Sequence, residues 1–204
     1  MKEKGKTENG KKQPLEVIFY NKSAVIKFVR SEKKNPLSIE TLKYLEKSFD
    51  ELNTRPDIKT LIFTGSDGTF AAGADLREII NFDKSSARKF SLFGRQLMQK
   101  IFRSTKLTIA VIDGFCMGGA LDLALSCQRR IASPESFFAH PGAKLGIITG
   151  WSGTQMLPRL IGRKNALELL LTAKKINSRQ ALRINLIDEI SANPLAKTIR
   201  EFGQ

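Results

Sequence analysis

Residues 106–128, KLTIAVIDGFCMGGALDLALSCQ, constrain the fold of this chain more than any other stretch. Four apolar residues, Ile109 to Ile112, run straight into Asp113-Gly114. A short loop follows, and Gly118-Gly119 then opens an apolar segment with helical spacing. The pattern predicts a buried strand feeding a glycine turn that opens a helix. The first helical turn has backbone N–H groups without internal acceptors and carries the positive end of the helix dipole. A glycine there lets a ligand oxygen come close, so the turn can hold an anion or an oxygen that becomes negative during reaction. The same pattern also fits a plain packing role, because glycine-opened helices after strands are common in α/β proteins.

The rest of the chain alternates around this unit. Leu15 to Tyr20 and Ala24 to Val29 are β-prone runs about Asn21-Lys22-Ser23 and predict a hairpin. Ser38 is a candidate N-cap, and Leu42, Leu45, Phe49 and Leu52 lie on one helical face. Thr60 to Thr64 predicts a short strand covered on both faces. Residues 65–76, GSDGTFAAGADL, predict a long loop of small residues that brings backbone near a ligand. Phe90, Phe93, Leu97 and Ile101 mark a second amphipathic helix. Short strands at 130–133 and 136–139, helices at 151–161, 165–172 and 178–185, and a last helical piece from Pro194 complete an α/β order with crossover connections.

With 204 residues, 41% hydrophobic and 26% charged, the chain is long enough for one well-buried core. Residues 1–13 read as a disordered basic tail, 14–190 as the core domain and 191–204 as a short C-terminal helical piece. No apolar run reaches the roughly 20 residues that span a bilayer, and the lysine-rich start lacks the apolar stretch of a secretory signal. Cys116 and Cys127 lie in apolar surroundings at a spacing that fits no metal site, which suggests reduced thiols in a cytoplasmic protein. The single histidine, His140, excludes a His-rich metal site. The formal charge of +14 favours polyanionic partners, such as nucleic acid or a phosphorylated small molecule, or else a solvated basic surface. Nucleic acid is disfavoured, because no basic stretch is interleaved with aromatics.

Three segments, LIFTGSDGTFAAGADLREI (61–79), IDGFCMGGALDLALSC (112–127) and LGIITGWSGTQMLPRLIG (145–162), resemble the crotonase, or enoyl-CoA hydratase/isomerase, superfamily. The resemblance runs from about Val17 to Ile190. It implies a spiral of repeated ββα units, assembled as a trimer or a hexamer, that binds acyl-CoA thioesters. Coenzyme A is then part of the substrate, and no separate cofactor or metal is implied. The oxyanion hole would be the N–H groups of Ala74 and Gly119, agreeing with the reading of the glycine turn. Ala71, Ala72, Gly73, Asp75, Leu76, Gly118 and Gly142 are the further substrate-binding candidates, and Lys33, Lys34 and Arg77 are candidates for the CoA phosphates.

Two departures bear on the reaction. Hydratases of the superfamily carry two glutamates. At the first position stands Asp122, three residues after Gly119, with a reach shorter by roughly 1.5 Å. At the second, after Pro141, stands Gly142, which brings no acid. Three alternatives follow: Asp122 acts as sole acid/base, His140 supplies the missing group, or the site binds acyl-CoA without hydrating it. Asp122 can instead be a helix residue paired with Arg129 or Arg130. The second departure is the shortened C-terminal helical region, which predicts an apolar flank for a partner to cover.

Overall fold

In the central strands, successive side chains go to opposite cores. Ala24, Ile26 and Phe28 enter the main cluster with Leu61, Phe63, Ala110 and Ile112, whereas Val25, Ile62, Ile109 and Val111 form a separate cluster on the other face. Such strands must be covered twice, and the fold follows from that need.

The computed structural model describes residues 13–203. The first half runs β1 (Leu15–Tyr20), β2 (Ser23–Phe28), β3 (Pro36–Leu37), α1 (Ile39–Thr54), β4 (Thr60–Thr64), β5 (Thr69–Ala71), β6 (Gly73–Ala74), α2 (Leu76–Ile79) and α3 (Lys84–Phe102). The second runs β7 (Leu107–Ile112), β8 (Phe115–Met117), α4 (Gly119–Ser126), β9 (Arg129–Ala132), β10 (Phe137–Ala139), α5 (Gly153–Thr172), β11 (Ile176–Asn177), α6 (Ser178–Arg183), β12 (Glu189–Ile190) and α7 (Pro194–Phe202). The tail expected over 1–13 lies, apart from Gln13, outside the described residues.

The main sheet has the order β1-β2-β4-β7-β9-β12, a second sheet β11-β10-β8-β5, and β3 pairs with β6. Apart from the β1–β2 hairpin, every pairing in the main sheet is parallel. Parallel neighbours need crossovers, supplied here by helices on the side of the main core. The repeat is a strand in the main sheet, a strand in the second sheet, then a helix: β7, β8 and α4, followed by β9, β10 and α5. This is the α/β spiral of ββα units.

The structure corrects two loops. Residues 65–76 contain β5, β6 and the start of α2, and the stretch after Gly114 contains β8. These strands have two or three residues, too few for a period to register, and exist because their neighbours pair with them. The two helices expected at 151–161 and 165–172 are parts of α5, interrupted where Gly162 leaves helical geometry (φ 79°, ψ 157°).

The second cluster is covered by α7 through Leu195, Ile199 and Phe202. The Ser23 hydroxyl donates to the Phe202 carbonyl at 2.5 Å, fixing the helix to β2. The sequence predicts an apolar flank left for a partner, yet on this face the chain covers itself. Exposed apolar residues gather elsewhere, at Leu76, Ile80, Leu145, Ile147 and Ile148. Cys116 and Cys127 are free and buried, and burial pushes the Cys127 thiol up to about 12. No helix among the described residues is long and apolar enough to cross a membrane.

Candidate active site

The strand–glycine–helix unit builds the floor of a cavity. Gly118 takes φ 55° and ψ −123°, a conformation that disfavours any side chain, and its N–H donates to the Ala139 carbonyl at 2.9 Å. Gly119 is then the first residue of α4, so its own N–H has no acceptor within the helix. A Cβ at Gly119 would run into the indole ring of Trp151. From the other side comes β6. At Gly73 (φ 94°) a Cβ would lie 2.6 Å from the Met117 carbonyl and 3.0 Å from the Gly119 nitrogen. Two residues without side chains thus let β6 press on the start of α4. Ala74, next along, borders the same cavity as Gly119, about 320 Å³ in volume.

Asp75 closes this half. Its carboxylate accepts from the Arg77 N–H at 3.0 Å, capping α2, and from the Arg77 guanidinium at 2.9 and 2.7 Å. Those contacts hold the Asp75 carboxyl below its ordinary range. The cavity walls are apolar, formed by Leu76, Ile79, Phe82, Phe90, Leu145, Ile147, Ile148 and Trp151. Phe82, Phe90 and Trp151 make an edge-to-face ladder with ring centroids 5.1 and 5.2 Å apart.

The opposite side is built from side chains. Asp122, in the first turn of α4, is fully buried. The Thr149 hydroxyl donates to its Oδ2. Its Oδ1 lies 3.2 Å from Nε2 of His140, which is only 3% exposed. Both of these atoms are buried and neither has a hydrogen-bond partner. Gly153, the first residue of α5, closes over the group. A Cβ there would strike Asp122 Oδ1 and lie 2.8 Å from Thr149 Cγ2 and 3.1 Å from His140 Nε2. The positive end of α5 therefore faces the carboxylate.

Of the catalytic, oxyanion-hole and substrate-binding candidates read from sequence, Ala72, Ala74, Leu76, Gly118, Gly119, His140 and Gly142 border the cavity. Four do not. Ala71 is in β5 and points into the main core, Gly73 backs β6 against α4, Asp75 caps α2, and Asp122 sits behind His140 and Thr149. Asp122 is not partnered by arginine: Arg130 pairs with Asp188 at 2.9 Å and Arg129 approaches Glu189 at 3.9 Å. Arg77 is tied to Asp75 and Lys34 lies over the Phe115 ring. At Gly142 a Cβ would lie 2.6 Å from the Ile147 carbonyl, so the backbone has closed over the vacant position. Sequence reasoning missed Thr149, Trp151 and Gly153, although all three lie in the third motif. A larger cleft of about 690 Å³ opens between α3 and α5, but none of the expected site residues borders it. Among the described residues no cluster of three or more His, Cys, Asp or Glu could hold a metal ion.

With this geometry in place, comparison with known proteins is decisive on one point. Residues 19–202 match the family described as enoyl-CoA hydratase/isomerase. The chain belongs to that family. Among curated enoyl-CoA hydratase/isomerase relatives, it is 38% identical over 170 residues to the crotonyl-CoA hydratase of Syntrophomonas wolfei, covering 83% of this chain and 65% of that protein. It is 35% identical over 184 residues to the short-chain-enoyl-CoA hydratase of Clostridium acetobutylicum, covering 89% of this chain and 70% of that protein. The chain thus spans about two thirds of the length of these relatives. Of solved structures, the enoyl-CoA hydratase of Thermoplasma volcanium superposes with a TM-score of 0.89 at 33% identity, over 93% of this chain and 76% of that one. That of Bacillus anthracis gives 0.88 at 29% identity, over 94% and 75%.

Proposed function

We propose that this chain acts on acyl-CoA thioesters as an enzyme of the hydratase/isomerase type. The N–H groups of Ala74 and Gly119 hold the thioester carbonyl oxygen as it becomes an enolate, and acid/base chemistry falls to the side of the cavity where Asp122 and His140 meet. One observation carries the reading: Gly73 and Gly119 pack together so that Ala74 and the start of α4 border one apolar cavity. Main-chain donors aimed at a developing oxyanion contribute several kcal/mol in a site shielded from water. A cavity of about 320 Å³ with an aromatic ladder along its wall fits a short acyl chain. Coenzyme A enters as part of the substrate, and the charge of +14 favours its phosphates. A trimer or hexamer belongs to the same proposal, with the exposed apolar residues around the cavity mouth as the surface a neighbouring subunit would cover.

A second reading, an acyl-CoA binder without hydratase activity, is favoured by Gly142, where the backbone leaves no room for the second acid. The test is the loss of the conjugated double bond of crotonyl-CoA, followed by ultraviolet absorbance, for wild type and Asp122→Asn. Turnover by wild type that falls by about 10²–10⁴-fold in the variant supports the enzyme. No turnover, with butyryl-CoA still bound in calorimetry, supports the binder. Neither turnover nor binding removes both.

A further inference from the structure

Asp122 occupies the position from which a carboxylate would be expected to reach substrate, yet it is fully buried and does not border the cavity. The two groups that touch it, His140 and Thr149, do border the cavity. We propose that His140 is the residue that exchanges a proton with substrate, and that Asp122 and Thr149 are positioning residues that fix its ring. The proposal rests on the acyl-CoA reading of the cavity given above.

The hydrogen-bond inventory supports it. The Thr149 hydroxyl occupies Oδ2 of Asp122, which leaves Oδ1 for the imidazole. Oδ1 and Nε2 are both buried, lie 3.2 Å apart, and neither has a hydrogen-bond partner. With hydrogen on Nε2, a small turn of the ring makes each orphan the partner of the other. With hydrogen on Nδ1 two bare acceptors would face one another in a dry site, each bearing the desolvation penalty of an unmade bond. The neutral ring is therefore protonated at Nε2, and Nδ1, on the side of the ring away from Asp122, is the free base. Gly153 keeps the carboxylate from swinging aside, because the space a methyl group would need is already taken by Asp122, Thr149 and His140. A carboxylate that orients an imidazole in this way sets its tautomer without touching substrate.

With no acid at Gly142, one base must serve twice. As the oxygen of a water molecule bonds to the β-carbon, one water proton passes to Nδ1. The electron pair of the C=C bond moves into the enolate, whose oxygen lies against Ala74 and Gly119. The imidazolium then returns that proton to the α-carbon. One water has been added across the double bond and His140 is neutral again.

His140 is the only histidine in the chain, so the ¹⁵N spectrum of an untagged, labelled protein reports on this ring alone. The expected spectrum for wild type is the Nε2–H tautomer. It should become a mixture in Thr149→Val and return in Thr149→Ser. Saturating butyryl-CoA should move the Nδ1 resonance. On crotonyl-CoA, Thr149→Val should lower kcat by about tenfold with little change in KM, Thr149→Ser should recover it, and His140→Ala should lose about a hundredfold or more. An Nδ1–H tautomer in wild type, binding that leaves Nδ1 unmoved, a Thr149→Val spectrum like wild type, or undiminished turnover in His140→Ala would each overturn the proposal. Absence of both turnover and binding strikes instead at the acyl-CoA reading, while the tautomer in the free protein still decides how the ring is held.

Discussion

The two sides of the cavity are made of different material. Ala74 and Gly119 offer main-chain groups, set in place by a strand and a helix that meet through glycines. Asp122, His140 and Thr149 offer side chains from three separate segments, locked together beneath Gly153. The first side needs no particular functional group, so it can serve any reaction that passes through an enolate. The second side is specified residue by residue, and under the proposed function it decides which reaction follows.

The largest test falls on the main-chain side, which should be vulnerable only through its packing. Gly119→Ala drives a methyl group into Trp151 and forces the start of α4 to move. Displacing that one donor should lower kcat on crotonyl-CoA by about 10²–10³-fold in a protein that still folds. An unchanged rate would mean that the donor lies elsewhere. On the other side, Gly153→Ala pushes into the Asp122 carboxylate. A misplacement of about 1 Å should lower kcat by roughly a hundredfold with KM little altered, measured in the same assay.

Gly142→Glu asks whether the second side merely lacks an acid. Its Cβ meets the Ile147 carbonyl, so the expected result is no gain in turnover and a loss of about 1–3 kcal/mol in urea unfolding. A gain in rate would break the comparison, because the site would then tolerate a different residue there. The smallest effect is expected at Asp75→Ala, which removes a helix cap outside the cavity and should cost about 1 kcal/mol with turnover close to wild type. The pH dependence has a definite sign. Contacts with Arg77 hold the folded carboxyl below its unfolded value of about 3.9, so its contribution is present above that pH and fades as pH falls through the folded value. Unfolding curves of wild type and variant should therefore converge as the solution is acidified below about pH 4.

The same division explains what could be read from sequence. Main-chain donors need close approach, close approach needs glycine, and glycine is visible: Gly73, Gly118 and Gly119 all stand in the motifs. The two-faced strands were legible for a similar reason, since three or four apolar residues in a row with no polar alternation leave few alternatives. Strands β5 and β8 were not, being too short to carry a period. The meeting of residues 122, 140 and 149 leaves no local mark at all, because it is made by α4, the end of β10 and the loop before α5 folding together. The one available hint was Thr149 itself, a hydroxyl among the apolar residues of the third motif.

The cover supplied by α7 also sets a timetable for synthesis. The row formed by Val25, Ile62, Ile109, Val111 and Ile131 has been made once β9 leaves the ribosome, but Leu195, Ile199 and Phe202 follow roughly seventy residues later. At about 5–20 residues per second, that row stays wet for several seconds in every nascent chain. For that interval the growing polypeptide exposes a greasy strip with no mate of its own, and chaperones or other nascent chains can reach it before the helix does.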